Sequence, residues 1–167
     1  MSHPAIRLVE LSEDLLTAMR FEESFQRETG ARSTSEQLAM LRQQVRLSLE
    51  FHEKIQAVSP WTGYLVIAAE ISTLVGICGF KGNPSESTVE IAYGTLSEFE
   101  GRGFATATAA AMVEIARSSG EVSTVIAHTL PEKNASGRLL EKNGFTMSGE
   151  VEDPEDGPVW RWVLKLE

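Results

Sequence analysis

Glu100-Gly101-Arg102-Gly103-Phe104-Ala105 is the stretch whose reading decides the fold. It stands between an apolar, strand-like run ending near Thr95 and an Ala-rich helical stretch running to about Ser118. Glycine at 101 and 103 lets the backbone turn tightly and approach a ligand. A helix opening beside them presents unpaired N–H groups and the positive end of its dipole. The run therefore reads as a cradle for a pyrophosphate, although a plain tight turn would account for it as well. Other phosphate loops are spaced differently: Gly-x-x-x-x-Gly-Lys-Ser/Thr does not occur, and Gly101-x-Gly103 lacks the third glycine of a dinucleotide fold.

A second segment, Asn134-Ala-Ser-Gly-Arg-Leu-Leu-Glu-Lys-Asn-Gly-Phe145, reads as a short helix with a polar opening and Asn143-Gly144 as its left-handed stop. Together the two segments resemble the GNAT superfamily of acetyl-CoA-dependent N-acetyltransferases, most closely its ribosomal-protein-alanine (Rim-type) branch. That family's cradle, Gln/Arg-x-x-Gly-x-Gly/Ala, falls on Glu100 to Ala105, and its Leu-Glu-Lys-x-Gly-Phe ending on Leu140 to Phe145. The likeness runs from about Thr62 to the C-terminus. It implies an α/β fold with a mostly antiparallel central sheet, one splayed parallel pair and flanking helices, formed as a single domain over residues 1–167.

A chain of 167 residues with 42% hydrophobic content suits one globular domain with a sizeable core. The longest uncharged apolar run, roughly Tyr64 to Ala69, is too short for a membrane span. The N-terminus lacks the layout of a secretion signal, so a soluble cytoplasmic protein is expected. Cys78 is the single cysteine, which excludes an internal disulfide and a thiolate metal cluster. His3, His52 and His128 show no ligand spacing, so no metal is expected. A net charge of −9 and a pI near 4.9 argue against a nucleic-acid surface and favour a cationic acceptor such as an amine. Coenzyme A is a polyanion, so an acidic protein must hold it through backbone N–H groups, a helix dipole and a few placed cations, of which Arg102 is the nearest.

Along the chain, Ile6 to Val9 alternates as a strand and Ser12 caps a helix through Met19. Ser33 to Ser35 opens a longer helix carrying Leu38, Leu41, Val45, Leu49 and Ile55. Thr62 to Glu70 and Thr73 to Phe80 read as an antiparallel hairpin, and Lys81 to Thr88 as a loop. Val89 to Leu96 is a strand, and the helix after it places Ala105, Ala109, Met112, Val113 and Ala116 on one stripe. Val122 to Thr129 follows as a parallel strand. Phe145 to Val151 and Val159 to Leu166 end the chain as strands joined by an acidic loop, Glu152 to Pro158.

Acetyl transfer to an amine needs a neutral nucleophile, a polarised thioester carbonyl and a proton for the departing thiolate. Free lysine side chains titrate near ~10.4 and peptide α-amines near ~7.7 to 8, so an α-amine asks less of a base. Glu90, in mid-strand, is the candidate general base, because burial would raise its proton affinity. Relatives with a strand glutamate there are thought to use it directly or through water; the alternative is a glutamate paired with a cation. Ser136 lies in the first turn of the second motif, where it either caps the helix or faces the sulfur. The resemblance makes it the proton donor to coenzyme A, since the tyrosine used elsewhere in the family is replaced by Leu140.

For the cofactor, the resemblance points to Gly101, Arg102 and Gly103, to the first-turn amides of Phe104, Ala105 and Thr106, and to Asn134 on the pantetheine arm. Two positions depart from the family: Asn134 stands two residues before the serine where relatives have three, and Glu100 replaces Gln or Arg beside the phosphates. Strands around Tyr93 and His128 should splay, freeing backbone groups to pair with pantetheine amides; both side chains are expected to pack. Phe21, Phe25, Trp61, Trp160 and Trp162 are candidates to line the acceptor pocket, with Glu22, Glu23 or Asp156 attracting a cation.

The resulting expectation is an acetyl-CoA-dependent N-acetyltransferase acting by direct attack in a ternary complex, with a protein or peptide N-terminal α-amine as acceptor. A small amine (polyamine, amino acid or drug) and a non-catalytic acyl-CoA-binding module are the alternatives. Neither the acceptor nor the oligomeric state, a homodimer included, follows from the sequence.

Overall fold

The computed structural model describes residues 3–167. Helices begin where a short polar side chain can satisfy a free N–H group. Ser12 Oγ accepts from the Leu15 amide at 3.0 Å and opens α1 (Glu13–Ala18). Thr34 and Gln37 form a reciprocal capping box at the start of α3 (Ser35–Lys54). Between them lies α2 (Glu22–Thr29), closed by Gly30. The sequence reading leaves α2 unassigned, because only Phe25 and Thr29 of its residues are buried and so little apolar periodicity marks it.

Seven strands form one sheet: β1 (Ile6–Glu10), β2 (Gly63–Ala68), β3 (Thr73–Phe80), β4 (Thr88–Thr95), β5 (Thr124–Thr129), β6 (Thr146–Asp153) and β7 (Gly157–Lys165). Their order is β1-β2-β3-β4-β5-β7-β6, and every neighbouring pair is antiparallel except β4 and β5. That parallel pair is joined by the crossover helix α4 (Phe104–Ser119), and α5 (Ala135–Lys142) follows β5. The expected mixed sheet with one parallel pair is thus present. The expected acidic loop shrinks to a tight turn: Glu152 pairs with Pro158 and Asp153 with Gly157, while Asp153 Oδ1 accepts the Glu155 and Asp156 amides at 2.8 and 2.9 Å. Those two bonds hold the Asp153 carboxyl below the usual carboxylate range.

Two cores sandwich the sheet. Val66, Val75, Val89, Ile91 and Val125 pack against Met112 and Leu140 on the α4–α5 side, and Leu65, Ile67 and Leu74 against Leu15, Phe25, Leu38 and Val45 on the α1–α3 side. β2 is buried at every position, as a strand covered on both faces must be. Phe25 and Trp61 belong to these cores, Trp61 standing edge-on to Phe80 at 5.0 Å, so neither can line an acceptor pocket. Leu65 is wholly buried, and Leu65→Ala is expected to cost roughly 2–5 kcal/mol, read as a lowered midpoint in urea unfolding. β4 differs from β2: Val89 and Ile91 point into the α4 core, whereas Glu90 is half-buried and Ala92 and Gly94 are exposed. Here one sheet face lies open.

Candidate active site

Leaving β4, the chain makes a 3-10 turn (Ser97–Phe99) and then two left-handed residues, Gly101 at φ 76° and Gly103 at φ 87°. Residues with a Cβ pay for that conformation, so glycine is what permits the turn. Gly103 stands at the N-cap of α4 and offers no side-chain oxygen, and the first turn carries no acidic residue. The Ala107 amide takes the Gly103 carbonyl at 3.0 Å, which leaves the first-turn amides before it without an intrahelical acceptor. A cleft of about 590 Å³ lies in front of them, bordered by Gly101, Gly103, Ala105 and Thr106 on one side and by Ser136 and Arg138 of α5 on the other. From α3, Gln37 Nε2 donates to Glu98 Oε2 at 2.7 Å, tying down the turn that leads into the glycines.

Asn134 caps α5: its Oδ1 accepts the Gly137 amide at 3.0 Å. Ser136 is therefore free of the capping role that was its alternative. It lines the cleft together with Tyr93. Asn134, its carbonyl already engaged, lines a different cavity on the far side of α5. Asn143 Nδ2 reaches the Thr106 carbonyl at 3.3 Å, locking the second motif against the first turn of α4. Burial pushes the Tyr93 hydroxyl up to about 12, with the Ser136 hydroxyl acting weakly in the other direction. Burial likewise lifts Tyr64 and Cys78 to about 12.

These three groups favour their protonated forms in the fold, whereas an unfolded chain releases its tyrosine protons near ~10. The contribution of the two tyrosines to stability is thus complete below that pH and that of Cys78 below about 9, and all three are lost as pH climbs through about 12. Tyrosinate absorbance is expected to appear only together with loss of folded circular dichroism.

The splay is visible in the register. β4 and β5 pair at Thr88↔Thr124, Val89↔Val125 and Glu90↔Ile126, and there pairing stops although β4 continues to Thr95 and β5 to Thr129. Glu90 stands at the fork. Because side chains alternate, Tyr93 shares the helix-covered face with Val89 and Ile91, while Glu90 faces the open side. Ser136 and Glu90 thus approach the fork from opposite faces. Glu90 is not the isolated buried carboxyl that the sequence suggests, for its Oε2 meets Lys81 Nζ at 3.2 Å and His128 Nδ1 at 2.9 Å. The alternative of a cation-paired glutamate describes its surroundings.

A family model for the acetyltransferase (GNAT) domain matches residues 6–146. The chain belongs to the GNAT acetyltransferase family. A comparison with curated proteins finds no match. Among solved structures, a GNAT-family acetyltransferase from Bacillus anthracis superposes at a TM-score of 0.65 with 17% identity, covering 99% of this chain and 97% of that one. RimL, a ribosomal L7/L12 α-N-protein acetyltransferase in complex with coenzyme A, reaches 0.68 with 16% identity over 99% and 96%. An acetyltransferase from Salmonella typhimurium that modifies the N-terminal serine of ribosomal protein L7/L12 reaches 0.67 with 16% identity over 99% and 97%. At these identities the likeness establishes the shared fold. This GNAT domain contains no helix long and apolar enough to cross a membrane among the described residues.

Some expected site residues stand elsewhere. Arg102 is exposed, its guanidinium 5.5 Å from the Phe99 ring centre, and no ion pair joins it to Glu100 among the described residues. The cations that do border the cleft are Arg138 and Lys142, four apart on one face of α5. Trp160 and Trp162 point to the α5 side, where they border the cavity of about 790 Å³ that also holds Asn134, and Trp162 Nε1 donates to Thr129 Oγ1 at 2.9 Å. Neither shares the open face with Glu90. Phe21 is 68% exposed and borders a separate depression between α1 and α3.

Proposed function

We propose that this GNAT acetyltransferase moves the acetyl group of acetyl-CoA to an N-terminal α-amine of a protein or peptide, by direct attack within a ternary complex. The observation that carries the reading is the fork beyond Glu90 and Ile126, entered from one face by Ser136 and Tyr93 and from the other by Glu90. Acetyl-CoA supplies the activated acyl group. Its diphosphate suits the first-turn amides of Phe104, Ala105 and Thr106, with Gly101 and Gly103 letting the backbone come close and Arg138 and Lys142 compensating the negative protein. Backbone groups of β4 beyond Glu90 are available to an extended pantetheine arm.

Glu90 takes the proton of the attacking amine, and Ser136, backed by the protonated Tyr93, gives one to the leaving sulfur. An α-amine is favoured over a lysine because it is partly neutral at pH 7 and Glu90 is already engaged by two partners on one oxygen. RimL and the Salmonella typhimurium enzyme, which share this fold, support the same acceptor class.

Acetyl-CoA titration by calorimetry, followed by coenzyme A release with peptide and small-amine panels, tests the reading. Uptake of acetyl-CoA with turnover only on peptides bearing a free N-terminus is expected. Preference for polyamines or single amino acids would replace the acceptor, and binding without turnover on any amine would make the chain an acyl-CoA-binding module. Ser136→Ala is expected to lower kcat by about tenfold or more, while acetyl-CoA affinity stays near parental. Arg138→Gln with Lys142→Gln should instead weaken acetyl-CoA binding, increasingly so at low salt.

A further inference from the structure

Beside the proposed base runs a row of side chains that the reaction as described leaves without a role. On the open face of the sheet, Glu90 of β4, His128 of β5 and Arg161 of β7 stand on three adjacent strands; His128 and Arg161 are direct cross-strand partners. Arg161 Nε donates to His128 Nε2 at 3.2 Å, and His128 Nδ1 lies 2.9 Å from Glu90 Oε2. A guanidinium has protons to give and no lone pair to accept with, so Nε2 must be the bare nitrogen. The ring proton then sits on Nδ1 and points at the glutamate. A doubly protonated ring would set N–H against N–H beside a permanent cation. Arg161 therefore selects the His128 tautomer that carries its proton on Nδ1.

We infer that His128 and Arg161 are positioning residues that act through Glu90, fixing its Oε2 so that Oε1 faces the acceptor amine. The inference rests on the proposal that Glu90 is the base. Lys81 Nζ, 3.2 Å from the same Oε2, adds a second tether from the end of β3, and half of its side chain stays in solvent. The row does not conduct protons, because it ends at an arginine that stays protonated in water. Its effect is orientation: a carboxylate held by one oxygen presents the other in a fixed direction, and small misplacements at a reacting centre are costly.

The test compares His128→Phe, which removes the donor, with His128→Asn, which keeps an N–H near the Nδ1 position, and Arg161→Met with Arg161→Lys. His128→Phe and Arg161→Met are expected to lower kcat at least about tenfold, with KM for acetyl-CoA within about twofold of parental, and the Asn and Lys variants to recover much of the loss. Adding His128→Phe to Glu90→Gln should cost nothing further, since the partner it orients no longer acts as a base.

Nitrogen-15 spectra of histidine-labelled parental protein read the tautomer without any variant or substrate. A proton on Nδ1 of His128 supports the inference, and a proton on Nε2 overturns it. Parental kcat in His128→Phe, or a full extra loss in the Glu90→Gln background, overturns it too while leaving Glu90 as base. Parental kcat in Glu90→Gln sinks the base assignment itself, and positioning with it.

Discussion

Glu90→Gln is expected to lower kcat by about 10²–10⁴-fold while acetyl-CoA binds nearly as before, the span that loss of a placed general base produces. Glutamine keeps the size of the side chain and can still meet the His128 and Lys81 groups through its carbonyl, so the strand pairing Glu90↔Ile126 should survive. What it cannot do is take a proton. The loss should be greatest for amines that are mostly protonated at the assay pH and smaller as pH rises, because hydroxide and the free amine then do part of the work. Rates at several pH values, with acetyl-CoA affinity measured separately by calorimetry, make the check. A Glu90→Gln enzyme with parental kcat would mean that the amine loses its proton elsewhere, after attack or to solvent.

Both the site and its limits trace to how far apart in the chain the cooperating residues lie. The cradle was legible because a strand, two left-handed glycines and an Ala-rich helix are consecutive, and local conformational rules apply to consecutive residues. The same holds for α5 and its Gly144 stop at φ 89°. The mixed sheet followed from the order of strands and crossover. What was not legible depends on register between distant strands. Arg161 meets His128 only because β7 inserts between β5 and β6, an arrangement that no local pattern announces.

Side-chain facing accounts for the remaining differences. Trp160 and Trp162 look like pocket aromatics in a list of residues, yet the β7 register turns both toward α5. Asn134 reads as a ligand group in the sequence, and in the fold its Oδ1 accepts from the free amide three residues on, as an asparagine one residue before a helix does. On α4 the stripe residues Ala109, Met112, Val113 and Ala116 are buried as expected, and Ala105 alone departs, being only partly buried and bordering the cleft. Its small side chain leaves the neighbouring amides beside a methyl group, which suits a wall that a ligand must approach.

Gly101→Ala is expected to weaken acetyl-CoA binding at least about tenfold while lowering the melting temperature by only a few degrees. At φ 76° an alanine pays about 1–2 kcal/mol of backbone strain, or roughly 2–8 °C for a chain of this size. A Cβ built at Gly101 meets nothing within 4 Å, so no clash with the protein adds to that cost. The strain is relieved when the loop shifts, and a shift moves the amides that follow. Hydrogen bonds to a charged group are worth about 1.5–3 kcal/mol each, and about 1.4 kcal/mol is a factor of ten in affinity, so misaligning a single amide suffices.

Gly120 supplies the control. It closes the opposite end of α4 at φ 74°, also with open space around a built Cβ, and it does not border the cleft. Gly120→Ala should therefore match Gly101→Ala in melting temperature and differ from it in calorimetry, binding acetyl-CoA like the parent. If both variants lose the same affinity, the loss reflects general destabilisation and the amides at the mouth of α4 are not the grip. If neither loses any, the diphosphate is held by Arg138 and Lys142 alone, and binding should then fall steeply with added salt.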